Sequence, residues 1–413
     1  MVPLRYGPRA ATVRVPRGKL VGIYEPRSLP HLDDLPAATR RALREPLNAP
    51  PLRQLAETAR SAAILIDDVT RPVPTPELLP PVLDELAAAG LLGDAVSIIV
   101  ARGVHRSASE RETRALVGDP SWGRSPVYDH DPEADLEFLG ETTLGTRVFL
   151  NRRFLAADLK IAVGDVEYHQ FMGYGGTAKS VFPGVADAES TRLNHSRMDL
   201  DGAEPGRIEG NPVREEVDEV GRMAGLDFCL SVVLDADHHP VGCFGGEMMA
   251  VLHAGAALVD EMFRVVVPRA ADVVLVSAGG APRDVNLYQA QKAVRSATKI
   301  VRRGGKTVLV AECPEGAGSD LYVQWMREAE RLDDIFQRLR ERFVMGGHKA
   351  YQFARSLAWA EVWLLSAMEP ERVRELKMHP LAGVEEIERL IEQAASVSVL
   401  TDGTLTLPVL ASQ

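Results

Sequence analysis

The length, composition and charge of this chain are those of an ordinary folded protein. It has 413 residues, 46% of them hydrophobic and 25% charged, which leaves room for two or three domains. Asp and Glu number 58 against 47 Lys and Arg, so the net charge is −11. This acidic balance argues against nucleic acid or an anionic membrane surface as the main partner.

The chain carries no signal for a membrane or for an oxidising compartment. The longest apolar runs, 228–234 and 273–278, are far shorter than the roughly 18 to 20 residues of a membrane span. The first ten residues, MVPLRYGPRA, lack the apolar stretch of a secretory signal. Three scattered cysteines are too few for a disulfide framework or a CxxC metal site. We therefore expect a cytoplasmic protein.

The first predicted elements form a βαβ unit. Apolar runs at 61–67 and 95–101 indicate two buried strands. The segment between them, TPELLPPVLDELAAAG, predicts a helix that Thr75 caps and Gly90 ends. A third strand is predicted over 158–163, and a long glycine-rich loop follows it. Loops of that length inside a domain are usually functional.

A second βαβ unit is predicted about 200 residues later. It comprises a strand at 271–277, an amphipathic helix at 287–301 and a strand at 306–311. Helical patterns dominate 321–395, and strand-like alternation follows around the turn pair Asp402 and Gly403. The fold class is therefore α/β, with two α/β domains of mainly parallel sheets at 1–268 and 269–413, the boundary lying near Pro268.

A glycine-rich segment, GYGGTAKS at 173–180, is the strongest local motif. It differs by one residue, Ala178, from the phosphate-binding pattern Gly-x-x-x-x-Gly-Lys-Ser. Backbone amides of such a segment approach a phosphate closely, and Lys179 adds a charge or a nucleophilic amine. A nucleotide-binding phosphotransferase that uses this loop is therefore one alternative.

Three histidines lie in predicted strand-end loops: His105, His169 and His195. Imidazoles at such positions are suited to acid–base chemistry. No pair shows the HxxxH spacing of a zinc site, and His238 with His239 falls in the turn DADHHP, where we interpret both as solvated.

Two further segments carry polar groups of interest. In DDVTRPVPT, Asp68 and Thr70 are able to cap the next helix, while the Arg71 guanidinium offers a bidentate site for a carboxylate or phosphate. In NLYQAQKA, Gln289 and Lys292 are three residues apart and share a helix face.

Taken together, five ordered motifs resemble the nickel-dependent lactate racemase family. They are DDVTRPVPT, ARGVHR, YHQFMGYGGTAKSVFPGV, NHSRMD and NLYQAQKA, spread over roughly residues 60 to 300. The resemblance implies two α/β domains with the active site in the cleft between them. It also implies a nickel pincer nucleotide, a pyridinium mononucleotide with two sulfur-containing arms.

Residue by residue, the resemblance implies a complete site. Lys179 would hold the cofactor covalently through a thioamide, and His195 would be the protein ligand of nickel. His105 and His169 match the pair of catalytic histidines, Arg71 the active-site arginine, and Gln289 with Lys292 the residues that face the substrate. We also expect a set of residues to contact the cofactor: Asp68, Thr70, Gly175, Gly176 and Tyr288.

The implied activity is racemisation or epimerisation at C2 of a 2-hydroxy acid or a related polyhydroxy compound. The α C–H is a very weak acid, whereas its removal as hydride becomes easier once the hydroxyl loses its proton to an imidazole. Ala178 and the neighbours of His105 depart from the family pattern, so lactate is one of several candidate substrates. The expected partners are a small-molecule substrate and the enzymes that make the cofactor. No oligomeric state is indicated, and a non-catalytic relative that only binds the cofactor is the remaining alternative.

Overall fold

The computed structural model describes residues 1–341, 344 and 346–411. Its strands are β1 (Val2–Tyr6), β2 (Arg9–Val13), β3 (Leu20–Tyr24), β4 (Ala62–Asp67), β5 (Val96–Ala101), β6 (Val127–Asp129), β7 (Leu136–Glu141), β8 (Arg147–Asn151), β9 (Leu159–Asp165), β10 (Tyr168–His169), β11 (Gly173–Tyr174), β12 (Phe228–Leu234), β13 (Pro240–Gly246), β14 (Arg264–Val267), β15 (Ala271–Ser277), β16 (Val301–Val310), β17 (Glu361–Leu365), β18 (His379–Leu381), β19 (Val397–Leu400) and β20 (Leu407–Leu410).

The α-helices are α1 (Leu35–Arg44), α2 (Leu52–Ala56), α3 (Thr75–Ala88), α4 (Glu110–Val117), α5 (Arg152–Ala156), α6 (Ala188–Ser196), α7 (Pro212–Met223), α8 (Met248–Phe263), α9 (Leu287–Thr298), α10 (Asp320–Glu328), α11 (Leu332–Glu341), α12 (Gly347–Trp359), α13 (Pro370–Glu375) and α14 (Val384–Gln393). Short 3₁₀ turns occur at Arg17–Lys19, Gly93–Ala95, Thr177–Ser180 and Arg197–Asp199. Among the described residues, no helix is long and apolar enough to cross a membrane.

One compact unit comprises Ser28–Met262. Its main sheet has the strand order β13-β12-β9-β4-β5-β6. All neighbours are parallel except that β13 runs antiparallel to β12. Strand β4 is buried along almost its whole length, and its side chains pack with those of α3 in one apolar core. Burial on both faces explains why these strands are continuous apolar runs rather than alternating ones.

The other unit combines Met1–Arg27 with Phe263–Gln413. Its main sheet is parallel throughout, with the order β18-β17-β16-β15-β19-β3. The predicted α/β class with mainly parallel sheets is therefore confirmed. So are the strands at 61–67, 95–101, 158–163, 271–277 and 306–311 and the helices that begin at Thr75 and Leu287, although β16 begins five residues earlier than expected.

The predicted domain division at 1–268 and 269–413 needs correction at the N-terminus. Strand β3 pairs with β19 in the parallel sheet, and Val2, Leu4 and Val13 pack in the same core as Val273. The first 27 residues thus belong to the C-terminal unit, because hydrogen bonds and apolar contacts hold them there. The junction before residue 263 lies close to the expected boundary.

Two local predictions were also wrong. Helix α3 begins at Thr75 itself, with Pro74 before it and no side-chain cap. The strand-like segment around Asp402 and Gly403 is not a hairpin, since β19 pairs with β15 and β3 whereas β20 pairs with β14. Within the segment predicted as helical, β17 and β18 extend the parallel sheet.

Candidate active site

The predicted site residues of the Ser28–Met262 unit collect at one edge of its sheet. Asp67 is the last residue of β4 and Asp165 the last residue of β9, and these strands are parallel neighbours. His105 follows β5, and His169 lies in β10 just beyond β9. The carboxyl ends of parallel strands form the edge where α/β sheets bind ligands.

His105 is held by a buried carboxylate. Its Nδ1 lies 2.6 Å from Oδ2 of Asp68, while Oδ1 of Asp68 accepts hydrogen bonds from the Thr70 amide at 3.0 Å and the Thr70 hydroxyl at 2.6 Å. Burial would raise the pKa of Asp68, but the bonds from His105 and Thr70 outweigh it and lower that pKa to about 2. An ionised carboxylate only accepts, so Nδ1 of His105 carries its proton and Nε2 is the basic nitrogen.

The same contacts correct the expectation that Asp68 and Thr70 cap the next helix. The Thr70 hydroxyl donates to the Asp68 carboxylate, which also contacts His105, and α3 has no side-chain cap. Asp68 is thus a positioning residue for His105.

A cluster of carboxylates surrounds Arg71 and Lys179. Nη1 of Arg71 lies 2.9 Å from Oε1 of Glu167. Burial raises the pKa of Asp67, and burial together with the charges of Glu167 and Asp67 raises that of Asp165 well above its usual range. The first site residues that sequence reasoning missed are therefore Asp67, Asp165 and Glu167. Their position at the carboxyl ends of β4 and β9, or two residues beyond in the case of Glu167, is the signal that could have identified them.

The Lys179 side chain sits in this cluster on the 3₁₀ turn Thr177–Ser180. Burial and the Arg71 charge lower the pKa of Lys179 to about 8, although the neighbouring carboxylates oppose the shift. A Cβ on Gly175 would lie 3.7 Å from the Lys179 Nζ and 3.3 Å from the Glu167 Cγ. Gly175 therefore keeps the surroundings of the amine open.

The fully buried side chain of Arg214 holds the glycine-rich loop in place by hydrogen bonds. Arg214 donates to the Tyr174 carbonyl at 3.2 Å, to the Gly176 carbonyl at 3.4 Å and to the Thr177 hydroxyl at 3.0 Å. It also pairs with Asp218, the shorter of the two contacts being 2.5 Å. Sequence reasoning missed Arg214, because an arginine in a helix with charged neighbours looks like an exposed residue.

His169 and His195 both contact one aromatic ring, that of Phe171. The His169 ring centroid lies 4.7 Å from that of Phe171, which lies 5.2 Å from that of His195. Nδ1 of His169 accepts the Met172 amide hydrogen at 3.2 Å, so the neutral ring carries its proton on Nε2. Burial, with smaller effects from Lys179 and His105, lowers the pKa of His195 to about 4. His195, in the last turn of α6, is therefore a neutral imidazole near pH 7.

The loop does not have the geometry of a nucleotide-binding P-loop. The β10–β11 hairpin separates β9 from Lys179, and the next α-helix begins only at Ala188. A P-loop connects its strand directly to a helix whose N-terminus faces the phosphates. The loop therefore lacks the direct strand-to-helix connection on which the phosphotransferase alternative depended.

The remaining predicted residues, Tyr288, Gln289 and Lys292, lie on α9 of the other unit, where Asn286 caps the helix by accepting the Gln289 amide hydrogen. Beside them is Lys349 of α12, whose Nζ lies 5.4 Å from the centroid of the Tyr288 ring. Burial, and then the charges of Lys292 and Arg295, lower the pKa of Lys349 to about 7. No sequence motif marks Lys349, so sequence reasoning missed it.

Comparison with known proteins identifies the class. The family model of the lactate racemase N-terminal domain matches residues 6–204 of the sequence. The family model of the lactate racemase C-terminal domain matches residues 266–407. Lactate racemases of Thermoanaerobacterium thermosaccharolyticum and Lactiplantibacillus plantarum are each 29% identical to the chain over 377 residues, which is 88% of this chain and 88% of each relative.

Solved structures agree with these matches. The lactate racemase apoprotein from T. thermosaccharolyticum superimposes with a TM-score of 0.90 at 27% identity, and all of both chains is covered. A protein from Thermotoga maritima shares the fold, with a TM-score of 0.61 at 16% identity over 87% of this chain and 96% of that one. These matches identify the protein as an isomerase of the racemase class. The chain belongs to the lactate racemase family.

Proposed function

We propose that this protein inverts C2 of a 2-hydroxy acid or a related polyhydroxy compound, with a nickel pincer nucleotide attached through Lys179 and nickel held by His195. The observation that carries the proposal is the convergence of Lys179 and His105 on the buried imidazole of His195, whose pKa both of their charges lower. The similar proteins are named lactate racemases, and lactate is therefore one candidate substrate.

The residues present fit that cofactor. A pKa of about 8 leaves part of the Lys179 population as the neutral amine that forms a bond to a carbonyl-derived group. A pKa of about 4 keeps His195 neutral near pH 7, and the neutral imidazole is the form that binds a divalent metal. A Cβ on Gly175 would lie 3.7 Å from the Lys179 Nζ, so the glycine leaves space beside the amine. When bound, the cofactor supplies reversible acceptance of the C2 hydrogen with its electron pair.

The protein's own residues handle the proton. Nε2 of His105 accepts the hydroxyl proton of the substrate, and the Asp68 carboxylate stabilises the imidazolium that forms. When the C2 hydrogen returns to the opposite face, the His105 imidazolium gives the proton back to the substrate oxygen. The Nε2–H of His169, whose Nδ1 accepts the Met172 amide hydrogen, would donate a hydrogen bond to that oxygen in the mirror-related pose. Two imidazoles of complementary tautomer therefore serve the two mirror-related poses.

Cationic and polar side chains hold the substrate carboxylate in this proposal. The Arg71 guanidinium has donors beyond the single one that Glu167 occupies. Gln289 and Lys292 are on one face of α9. Asp68 and Thr70 were expected to contact the cofactor, but their hydrogen bonds favour the role of orienting His105.

Intact-protein mass spectrometry after coexpression with the cofactor-making enzymes tests the proposal. We expect a covalent adduct on the parent chain together with stoichiometric nickel, and no adduct on Lys179→Ala. An unmodified parent chain, or an equal adduct on the variant, would overturn the attachment. A loaded chain that racemises no 2-hydroxy acid, as followed by chiral chromatography, would favour a cofactor-binding protein without turnover.

A second experiment separates this chemistry from direct proton abstraction. A base that removes the C2 hydrogen as a proton exchanges it with water. We expect a 2-deuterated substrate to keep its label in both products in ordinary water, whereas rapid loss of the label would contradict the proposal.

A further inference from the structure

A second group of metal-binding side chains lies elsewhere in the Ser28–Met262 unit, on the surface. We call His31, Asp235 and His239 the surface triad. Nε2 of His31 lies 2.8 Å from Oδ2 of Asp235, and Nδ1 of His239 lies 3.6 Å from the same oxygen. The two imidazole rings are stacked with centroids 4.6 Å apart. None of the three residues takes part in the proposed racemase chemistry.

Backbone hydrogen bonds hold the triad in place. Oδ1 of Asp235 accepts the amide hydrogens of Asp237 at 2.9 Å and His239 at 2.8 Å, which fixes the turn after β12. The Asp235 amide in turn donates to the His239 carbonyl at 2.9 Å, and the Leu32 amide donates to the Pro240 carbonyl at 2.8 Å. These bonds leave Oδ2 of Asp235 facing both histidines, so the donor atoms converge without any ion to gather them.

The spacing of the donor atoms suits a first-row divalent ion. Zinc binds imidazole nitrogen and carboxylate oxygen at roughly 2.1 Å, so ligand atoms 2.8 Å and 3.6 Å apart subtend about 84° and 118°. All three donors lie within 4.8 Å of one another. Two ligands of one such ion are at most roughly 4.2 Å apart, and this span is close to the one that the triad already has.

We propose that the surface triad is a binding site for a divalent transition-metal ion such as Zn²⁺ or Ni²⁺. The ligands are Nε2 of His31, Nδ1 of His239 and Oδ2 of Asp235. Imidazole with one carboxylate is a donor set that these ions share, whereas Mg²⁺ and Ca²⁺ prefer oxygen alone. The histidine side chains are 47% and 57% exposed, so the remaining coordination positions are open to water or to an outside ligand.

Metal binding at the triad would join two distant parts of the chain. His31 precedes α1, and the other two ligands belong to the connection between β12 and the edge strand β13. An ion that binds the folded unit and not the unfolded chain raises the stability of that unit. A bound ion would thus link the segment before α1 to the β12–β13 connection at the edge of the sheet.

Isothermal titration of the cofactor-free, chelator-treated protein with ZnCl₂ tests the proposal. We expect one site in the parent chain and an affinity at least about 10-fold weaker in His31→Ala and in His239→Ala. His238→Ala is the matched control, since His238 lies in the same turn outside the triad. His195→Ala is the control for the cofactor site, and both controls should bind Zn²⁺ like the parent.

Thermal unfolding and Cu²⁺ spectroscopy complete the test. Zn²⁺ should raise the melting temperature of the parent and of His238→Ala but not of His31→Ala, and paramagnetic resonance of bound Cu²⁺ should show coupling to two nitrogens. Circular dichroism verifies that the variants are folded, and His31→Gln replaces His31→Ala if that variant is not. Absence of Zn²⁺ binding to the parent, equal binding by His31→Ala and His238→Ala, or loss of binding in His195→Ala would overturn the proposal.

Discussion

Replacement of Asp68 by Asn is expected to move the proton of the neutral His105 ring from Nδ1 to Nε2, so that Nε2 is no longer a base. The Thr70 amide and hydroxyl both donate to Oδ1 of residue 68, so this position must remain an oxygen. The new amide nitrogen then takes the place of Oδ2 and donates to Nδ1 of His105. Neutral His105 must now carry its proton on Nε2, where it is unable to accept the proton of the substrate hydroxyl.

The size of the effect follows from the pKa of Asp68. A fall from 3.8 to about 2 corresponds to about 2.4 kcal/mol of preferential stabilisation of the carboxylate. The side chain of Asp68 is only 6% exposed but that of His105 is 48% exposed, so solvent screening reduces the part available to the His105 imidazolium to about 1 to 2 kcal/mol. That range is about a 5- to 30-fold loss of kcat, and the tautomer change places the expected loss at the upper end.

The assay is racemisation by the cofactor-loaded enzyme, with cofactor content measured by mass. Asp68→Asn should lower kcat and leave KM and the adduct nearly unchanged, because the carboxylate acts through His105 and not on the bound substrate. Thr70→Ser, which keeps both donors, is the control and should remain within about twofold of the parent. Unchanged kcat in Asp68→Asn would refute the assignment of Asp68 as the residue that orients His105.

Three further predictions concern His195, Arg214 and Lys349. His195→Ala should retain the organic adduct on Lys179 but lose nickel in metal analysis; unchanged nickel would contradict its role as a ligand. Arg214→Met strands the buried carboxylate of Asp218, so the free energy of unfolding measured with urea should fall by about 3 to 5 kcal/mol, and a change below about 1 kcal/mol would argue against it. Because burial lowers the pKa of Lys349 to about 7 while an unfolded lysine titrates near 10.5, the unfolded chain binds the extra proton between these values. The free energy of unfolding should therefore rise between about pH 7 and pH 10, by up to about 4 kcal/mol, and Lys349→Met should abolish that rise.

Local patterns were sufficient for the parallel α/β elements. The apolar runs that became β4, β5, β9 and β15 are nearly fully buried, and burial on both faces makes such a strand recognisable from a few consecutive residues. The motif residues could also be identified from the sequence, because the residue type and its immediate neighbours indicate the chemistry of a loop lysine or of a histidine at a strand end. Strand-end position alone then brought Arg71, His105 and His169 to one edge of the sheet.

Contacts between distant segments decided the rest. The pairing of β3 with β19, more than 370 residues later, moved the N-terminus into the C-terminal unit. The tertiary structure brings Asp68 into hydrogen-bond contact with His105 and the carboxylates of Asp67 and Asp165 near Lys179. It also pairs His31 with Asp235, which is distant in sequence. Periodicity describes only the faces of a single element, whereas hydrogen-bond partners and the burial that shifts a pKa depend on which elements pack together. The sequence by itself thus determined the elements and the reactive residue types, and the tertiary structure decided their partners and their protonation states.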